Sequence, residues 1–178
     1  EGIGYIAYSD GTISAEYNSA KTAVGVVIEA TGGVATKIVS LTETTAEWSI
    51  EEVDTNATSE TDGMANLRAI QSIDGWEEKY PAFKWCDDYT DASDNSEWYL
   101  PAKDELDQLY SVKDVINTAI EKITAGDGTA TSFDTGNYWS SSQYYDGNFE
   151  AWTQSFSAGD QNGDLKDIAR SVRAVRAF

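Results

Sequence analysis

The side chains that could do chemistry are few in kind. The chain has no histidine and one cysteine, Cys86. Ser-His-Asp and Cys-His hydrolase arrangements therefore cannot be assembled. A histidine-ligated zinc site and an intrachain disulfide are ruled out on the same count. Carboxylate is abundant: 31 Asp and Glu stand against 12 Lys and Arg, for a formal net charge of -19. Two carboxylates can hydrolyse a glycosidic bond when suitably spaced, but spacing in space is not readable from an acidic sequence. The run Asp87, Asp88, Asp91 and Asp94 reads as a solvated connector.

Two segments near the C-terminus have the composition of a recognition surface. Tyr144 and Tyr145 are followed by Asp146, Gly147 and Asn148. Tyrosine offers a large rigid face with a hydroxyl at its tip, which suits stacking on a sugar or anchoring a protein. Asp160, Asn162 and Asp164 place oxygen side chains at alternating positions, as the start of a calcium loop does. The EF-hand pattern then fails, because Leu165 stands where glycine is required and Ser171 where the bidentate glutamate should be. No cofactor is expected, although an irregular calcium site stays open beside the alternative of a solvated hairpin loop. The candidate ligand-binding residues are thus Tyr144, Tyr145, Asp146, Asn148, Asp160, Asn162 and Asp164.

Net charge narrows the partners. A phosphate backbone needs clustered Lys and Arg, so nucleic acid is excluded, and anionic membrane surfaces are excluded likewise. No apolar run is long enough to span a membrane and no signal peptide is visible. The abrupt opening at Glu1-Gly2-Ile3 fits a trimmed or mature chain.

These residues need elements to hold them. Tyr5-Ile6-Ala7-Tyr8 and Thr12-Ile13-Ser14 flank Ser9-Asp10-Gly11, a hairpin signal. Residues 23–28 and 34–41 read as paired strands broken by Gly32-Gly33. Met64, Leu67, Ile70 and Ile73 carry a helical stripe, with Thr58, Ser59 and Thr61 as caps. Pro81 suits the first turn of a helix through Phe83 and Cys86. Pro101 opens another, with Asp104 and Glu105 in its first turn, and residues 112–123 continue the pattern. Strands return at Tyr138-Trp139-Ser140, at residues 151–156 and at residues 171–178. The order is strands, helices, strands, an α+β domain whose ends meet in one sheet. Residues 1–55 are expected to form an N-terminal β-strand extension and residues 56–178 the main domain.

Trp98-Tyr99-Leu100-Pro101-Ala102-Lys103-Asp104-Glu105-Leu106 resembles the W-x-L-P-[ST]-x-x-E-L signature of a bacterial family of unknown function. That family is related to the Fibrobacter major paralogous domain and the formylglycine-generating-enzyme group. Tyr80-Pro81-Ala82 with Cys86, Tyr138-Trp139-Ser140-Ser141-Ser142, Ala151-Trp152 and Val172-Arg173-Ala174-Val175-Arg176 are similar to its other motifs, in the same order. The resemblance implies a C-type-lectin-like fold, with helices packed on a twisted antiparallel sheet and long C-terminal loops. It also implies an exported, Bacteroides-type surface protein: a lipoprotein, pilus-tip subunit or adhesin at the cell surface or anchored to the outer membrane. The redox-active cysteine pair of the enzymatic relatives is not in this sequence, so no enzyme is expected. The segment 138–178 also looks like the variable region of retroelement-diversified receptors. Mutagenised adenines in AAY codons can encode residues 144–149, 157–158 and 162–165, and also Thr153, Ser155, Asp160 and residues 167–169. They cannot encode Glu150, Trp152, Gln154, Gln161 or Lys166.

The expected function is recognition of a glycan or a protein through the C-terminal loops, without covalent chemistry. A structural pilus or surface subunit is the alternative, with a carboxylate-dependent polysaccharide hydrolase behind it. Arg173 and Arg176 are expected to form ion pairs beneath the loops.

Overall fold

Ten strands and five helices appear in the computed structural model, which describes residues 2–93, 97–145 and 147–178. The chain opens with the expected hairpin of β1 (Ile6–Tyr8) and β2 (Ile13–Ser14), its turn closed by Gly11 at φ +80°. Next come β3 (Ala23–Thr31) and β4 (Val34–Val39). Their two-residue connection, Gly32-Gly33, has φ +59° and +84°. That geometry matches the twist of the flanking strands and is open to glycine at no steric cost.

After the short β5 (Thr44–Ala46), the chain becomes helical: α1 (Gly63–Gln71), α2 (Trp76–Lys79), α3 (Pro81–Asp88), α4 (Lys103–Ser111) and α5 (Lys113–Ala125). The cap of α1 is Asp62, whose carboxylate accepts the Ala65 N–H at 2.9 Å. Of the caps expected from sequence, Ser59 instead accepts the Asp62 N–H. Pro81 occupies the first turn of α3, as expected. The apolar stripes are buried as their spacing predicts: Leu67 and Ile70, Phe83 and Cys86, Leu106 and Leu109, then Ile116, Ile120 and Ile123.

Strands resume with β6 (Asn137–Gln143), β7 (Glu150–Ser155), β8 (Gln161–Leu165), β9 (Arg170–Val172) and β10 (Val175–Ala177). Three sequence expectations need correction. The segment 160–164 is not a hairpin loop, because residues 161–165 form an edge strand paired with β7. The closing strand is two strands in two different sheets. The described residues form two five-stranded sheets rather than one, ordered β10-β4-β3-β1-β2 and β5-β9-β6-β7-β8, and β6 runs parallel to β9. The fold is mixed α and β, and the C-terminal strand does join the N-terminal sheet.

The two sheets share one interrupted ladder. Val39 faces Val175 in the first sheet and Thr44 faces Val172 in the second. Between them the chain turns a corner at residues 40–43. There the Ser40 N–H donates to Ala174 O, and the Arg173 Nε donates to Ser40 O at 3.0 Å. Arg173 is buried, donates through Nη1 to Glu43 at 2.9 Å and stacks 4.6 Å from the Phe133 ring. Arg176 is buried too. Its Nε donates to Asp91 at 2.9 Å, an oxygen that also accepts from the Trp98 indole N–H. Both arginines form the expected ion pairs.

Glu105 plays the corresponding part among the helices. One carboxylate oxygen accepts the Gly63 and Ala102 N–H groups, at the starts of α1 and α4. The other accepts the Tyr99 hydroxyl at 2.7 Å and the Lys37 ammonium at 2.8 Å. Burial, reinforced by Glu105, pushes the Tyr99 phenol well above its ordinary range, so it stays a donor. Removing one partner from a buried charge network strands the others. Glu105→Ala is expected to cost on the order of 3–5 kcal/mol in urea denaturation. A loss below about 1 kcal/mol would mean that Lys37 and Tyr99 find water instead.

Candidate functional site

The candidate site lies at the β6–β7–β8 end of the second sheet. Strand alternation divides its residues. Trp152 pairs with Gly163, and on that face the Tyr144 ring lies directly over the glycine, where a Cβ would come within 2.9 Å. Tyr144, Tyr145 and Trp152 form one aromatic cluster, with ring centroids 4.5 to 5.3 Å apart. Tyr144 is half-buried and Tyr145 is exposed. The Lys103 ammonium, from the first turn of α4, sits 4.6 Å from the Trp152 ring and 3.1 Å from Glu60. An aromatic face beside a cation suits stacking and hydrogen bonding alike.

Asn162 and Asp164 belong to the opposite face of β8, in register with Thr153 and Ala151. They do not join the tyrosines, because neighbours on a strand alternate between the two faces. The Asp160 carboxylate accepts from Asn162 at 2.7 Å, and Asp164 is bonded to Arg170 at 2.6 Å. Alternate residues on a strand stand about 6.6 Å apart, whereas calcium needs oxygens converging to about 2.4 Å. An extended β8 therefore cannot wrap an ion as a loop would. Among the described residues, no group of three or more acidic or thiol side chains is placed to hold a metal. Asn148 is exposed in the β6–β7 loop, and Asp146 lies outside the described residues.

That loop is anchored from below by Lys166, which sequence reading did not single out as a site residue. Lys166 is buried, and its ammonium donates to Gly147 O at 2.6 Å and Val53 O at 2.9 Å, 4.6 Å from the Trp48 ring. Gly147 has φ +70°, and a Cβ there would meet the Asp54 carboxylate. Asp54 is bonded to Gln143, which holds its carboxyl below the ordinary range. The segment 53–55, the β6 end and the loop thus form one bonded unit.

Elsewhere, a cavity of about 420 Å³ is lined by Lys37, Arg68, Asp87 and Glu97 among others. Burial, then the neighbouring Asp88, pushes the Asp87 carboxyl up. Cys86 is fully buried on α3, and burial raises its thiol well above the usual value.

Residues 36–176 match the family model of the Lcl C-terminal domain. The chain belongs to that family. The Lcl C-terminal domain match begins inside β4 and covers the second sheet and all five helices, leaving β1, β2 and β3 of the first sheet outside it. A crystal structure of a fimbrial protein from Bacteroides ovatus has the same fold, with a TM-score of 0.74 at 18% identity over 99% of this chain. This chain spans 48% of that protein. No curated protein matches it in sequence.

In this Lcl C-terminal domain the sequence motifs form a polar joint. Ser140, Ser141 and Ser142 sit in a bulge of β6, all buried. Ser140 Oγ donates to Trp152 O, Ser141 Oγ accepts from Asn66 of α1, and Ser142 Oγ accepts the Lys103 N–H of α4. The hydroxyls thereby fix two helices to the strand that leads into Tyr144 and Tyr145.

Lys166→Met keeps an apolar stem but removes the anchor. The loop 144–149 is expected to exchange its amide hydrogens at least about tenfold faster, with stability lower by about 1–3 kcal/mol. Unchanged exchange would show that the loop holds itself. For Cys86, a thiol reagent such as DTNB should react only after denaturation; rapid labelling of the native protein would contradict the burial.

Proposed function

We propose that this chain is a domain of an exported bacterial surface protein and serves as a subunit of a fimbria-like assembly. The observation that carries this reading is the likeness along 99% of the chain to one half of a fimbrial protein. Membership of the Lcl C-terminal domain family supports it. Among the described residues no helix is long and apolar enough to cross a membrane. Within this reading the domain is of C-type-lectin type, supported by the helices against the β6–β7–β8 sheet and by the motifs at its joint. The role is non-enzymatic: the family's polar motif residues are spent on packing and helix capping, as Glu105 and the Ser140–Ser142 hydroxyls illustrate.

A second reading, adhesin-like recognition of a glycan or a protein, is favoured by the aromatic cluster. Tyr145 is exposed, yet held against Trp152 in an edge-to-face contact. The residues that AAY-codon mutagenesis cannot reach support a diversified surface around it. Trp152, Gln154 and Lys166 are buried, while Tyr145, Asn148, Phe149, Asn162 and Leu165 are exposed; Gly147 and Thr153 depart from that pattern.

The first test is location. Antibody against the chain should label sheared surface filaments in immunogold microscopy; confinement to the cytoplasmic fraction would end the surface reading. The second is a glycan array with Tyr145→Ala, which leaves Tyr144 on Gly163. Selective binding lost by at least about tenfold in the variant supports recognition through this cluster. Silence across the array removes the glycan form of it.

A further inference from the structure

Four of the nine exposed large apolar side chains among the described residues lie on segments that meet at one place. Ile50, Val53, Phe149 and Leu165 are 57%, 40%, 45% and 48% exposed. All four lie on segments bonded to one residue, Lys166. Its backbone N–H donates to Phe149 O, and its carbonyl accepts the Ser49 N–H, one residue before Ile50. Its ammonium donates to Val53 O, and Leu165 precedes it in the chain. Single exposed apolar side chains need no explanation, whereas a grouped set marks an interaction surface. The group is also held rigidly, since Lys166 and Gln143 tie its three segments together. Binding there loses little ordering entropy.

Charge then selects the partner. Residues 47–54 and 144–170 contain nine acidic residues and two basic ones, Lys166 and Arg170. Lys166 is buried and Arg170 is bonded to Asp164. Glu52, Asp160 and Asp167 are exposed. An apolar centre with an acidic margin repels a second copy of a chain carrying a net charge of -19, and it attracts lysine and arginine. We propose that this face docks a polypeptide segment in which Lys or Arg alternates with apolar side chains. The proposal goes beyond the surface-subunit reading: it depends neither on where the protein resides nor on the aromatic cluster.

The test uses the whole chain and a fluorescent peptide of about ten residues alternating lysine with leucine and valine, read by anisotropy. Oligolysine of equal length controls for charge alone. The alternating peptide should bind at least about tenfold more tightly than oligolysine. Phe149→Ser/Leu165→Ser should weaken its binding by at least about tenfold, whereas Ile3→Ser/Val115→Ser, on a different exposed apolar group, should leave it unchanged. Glu52→Lys/Asp167→Lys, confined to exposed side chains, should weaken it and flatten its salt dependence, which covers the case in which the serine variant misfolds. Equal affinity for oligolysine would overturn the proposal. So would peptide protection mapped by hydrogen exchange to Ile3 and Val115, or a homodimer that the serine variant dissociates.

Discussion

A guanidinium buried at a corner governs this structure. Arg173 sits where the shared ladder breaks between the two sheets, out of contact with solvent. Burial lowers its affinity for the proton, and Glu43 opposes that effect. Taking a cation out of water costs several kcal/mol, offset only by good geometry and further hydrogen bonds. Glu43, Ser40 O and the Phe133 face supply these from two separate stretches of chain. One amine, Nη2, has no hydrogen-bond partner among the described residues, so the compensation is incomplete. The corner is nonetheless specific. A sheet that slipped by one residue would turn the guanidinium to the opposite face, away from Glu43. Arg176 repeats the arrangement three residues later with Asp91 and Trp98.

The helices and the site hang from this frame through polar joints. Glu105 gathers two helix starts, a tyrosine and a lysine from the first sheet. The serines of β6 bind the same helices from the other side. The aromatic cluster rests on β7 and β8 and against the first turn of α4, so its geometry follows from the joint rather than from the loop itself. Lys166 performs the same service for the loop. A surface presented on rigid elements by buried polar anchors can change its outer side chains without disturbing its scaffold.

Much of the fold was legible because local rules and burial agreed. The Gly32-Gly33 hairpin, the stripes of α1, α4 and α5, and Pro81 at the start of α3 follow from period and turn chemistry. What escaped depended on distant contacts. β8 was read as a loop because Gln161, Asn162, Gly163 and Asp164 have poor strand propensity; pairing with β7 overrides that preference. The corner at Arg173 divided a strand that looks continuous in sequence, since nothing local marks the change of sheet. The candidate site was half legible. Tyr144 and Tyr145 were visible by type, and their contact with Trp152 depends on a strand register that composition does not encode. Asn162 and Asp164 fell on the other face for the same reason. Lys166 carried only the codon signal that sets it apart from the encodable positions; by type, one lysine in an acidic chain reads as surface.

The shared ladder also has a consequence for how the chain reaches its native state. Strands β4 and β5 can complete their pairing only with β9 and β10, more than about 120 residues later, and closing so long a loop is entropically slow. During synthesis, the hairpins and helices can form early, while Ser40 and Glu43 wait for Arg173 to leave the ribosome. Until then the inner faces of both sheets stay uncovered. Such a nascent chain remains open and exposed to chaperones until β9 and β10 are in place.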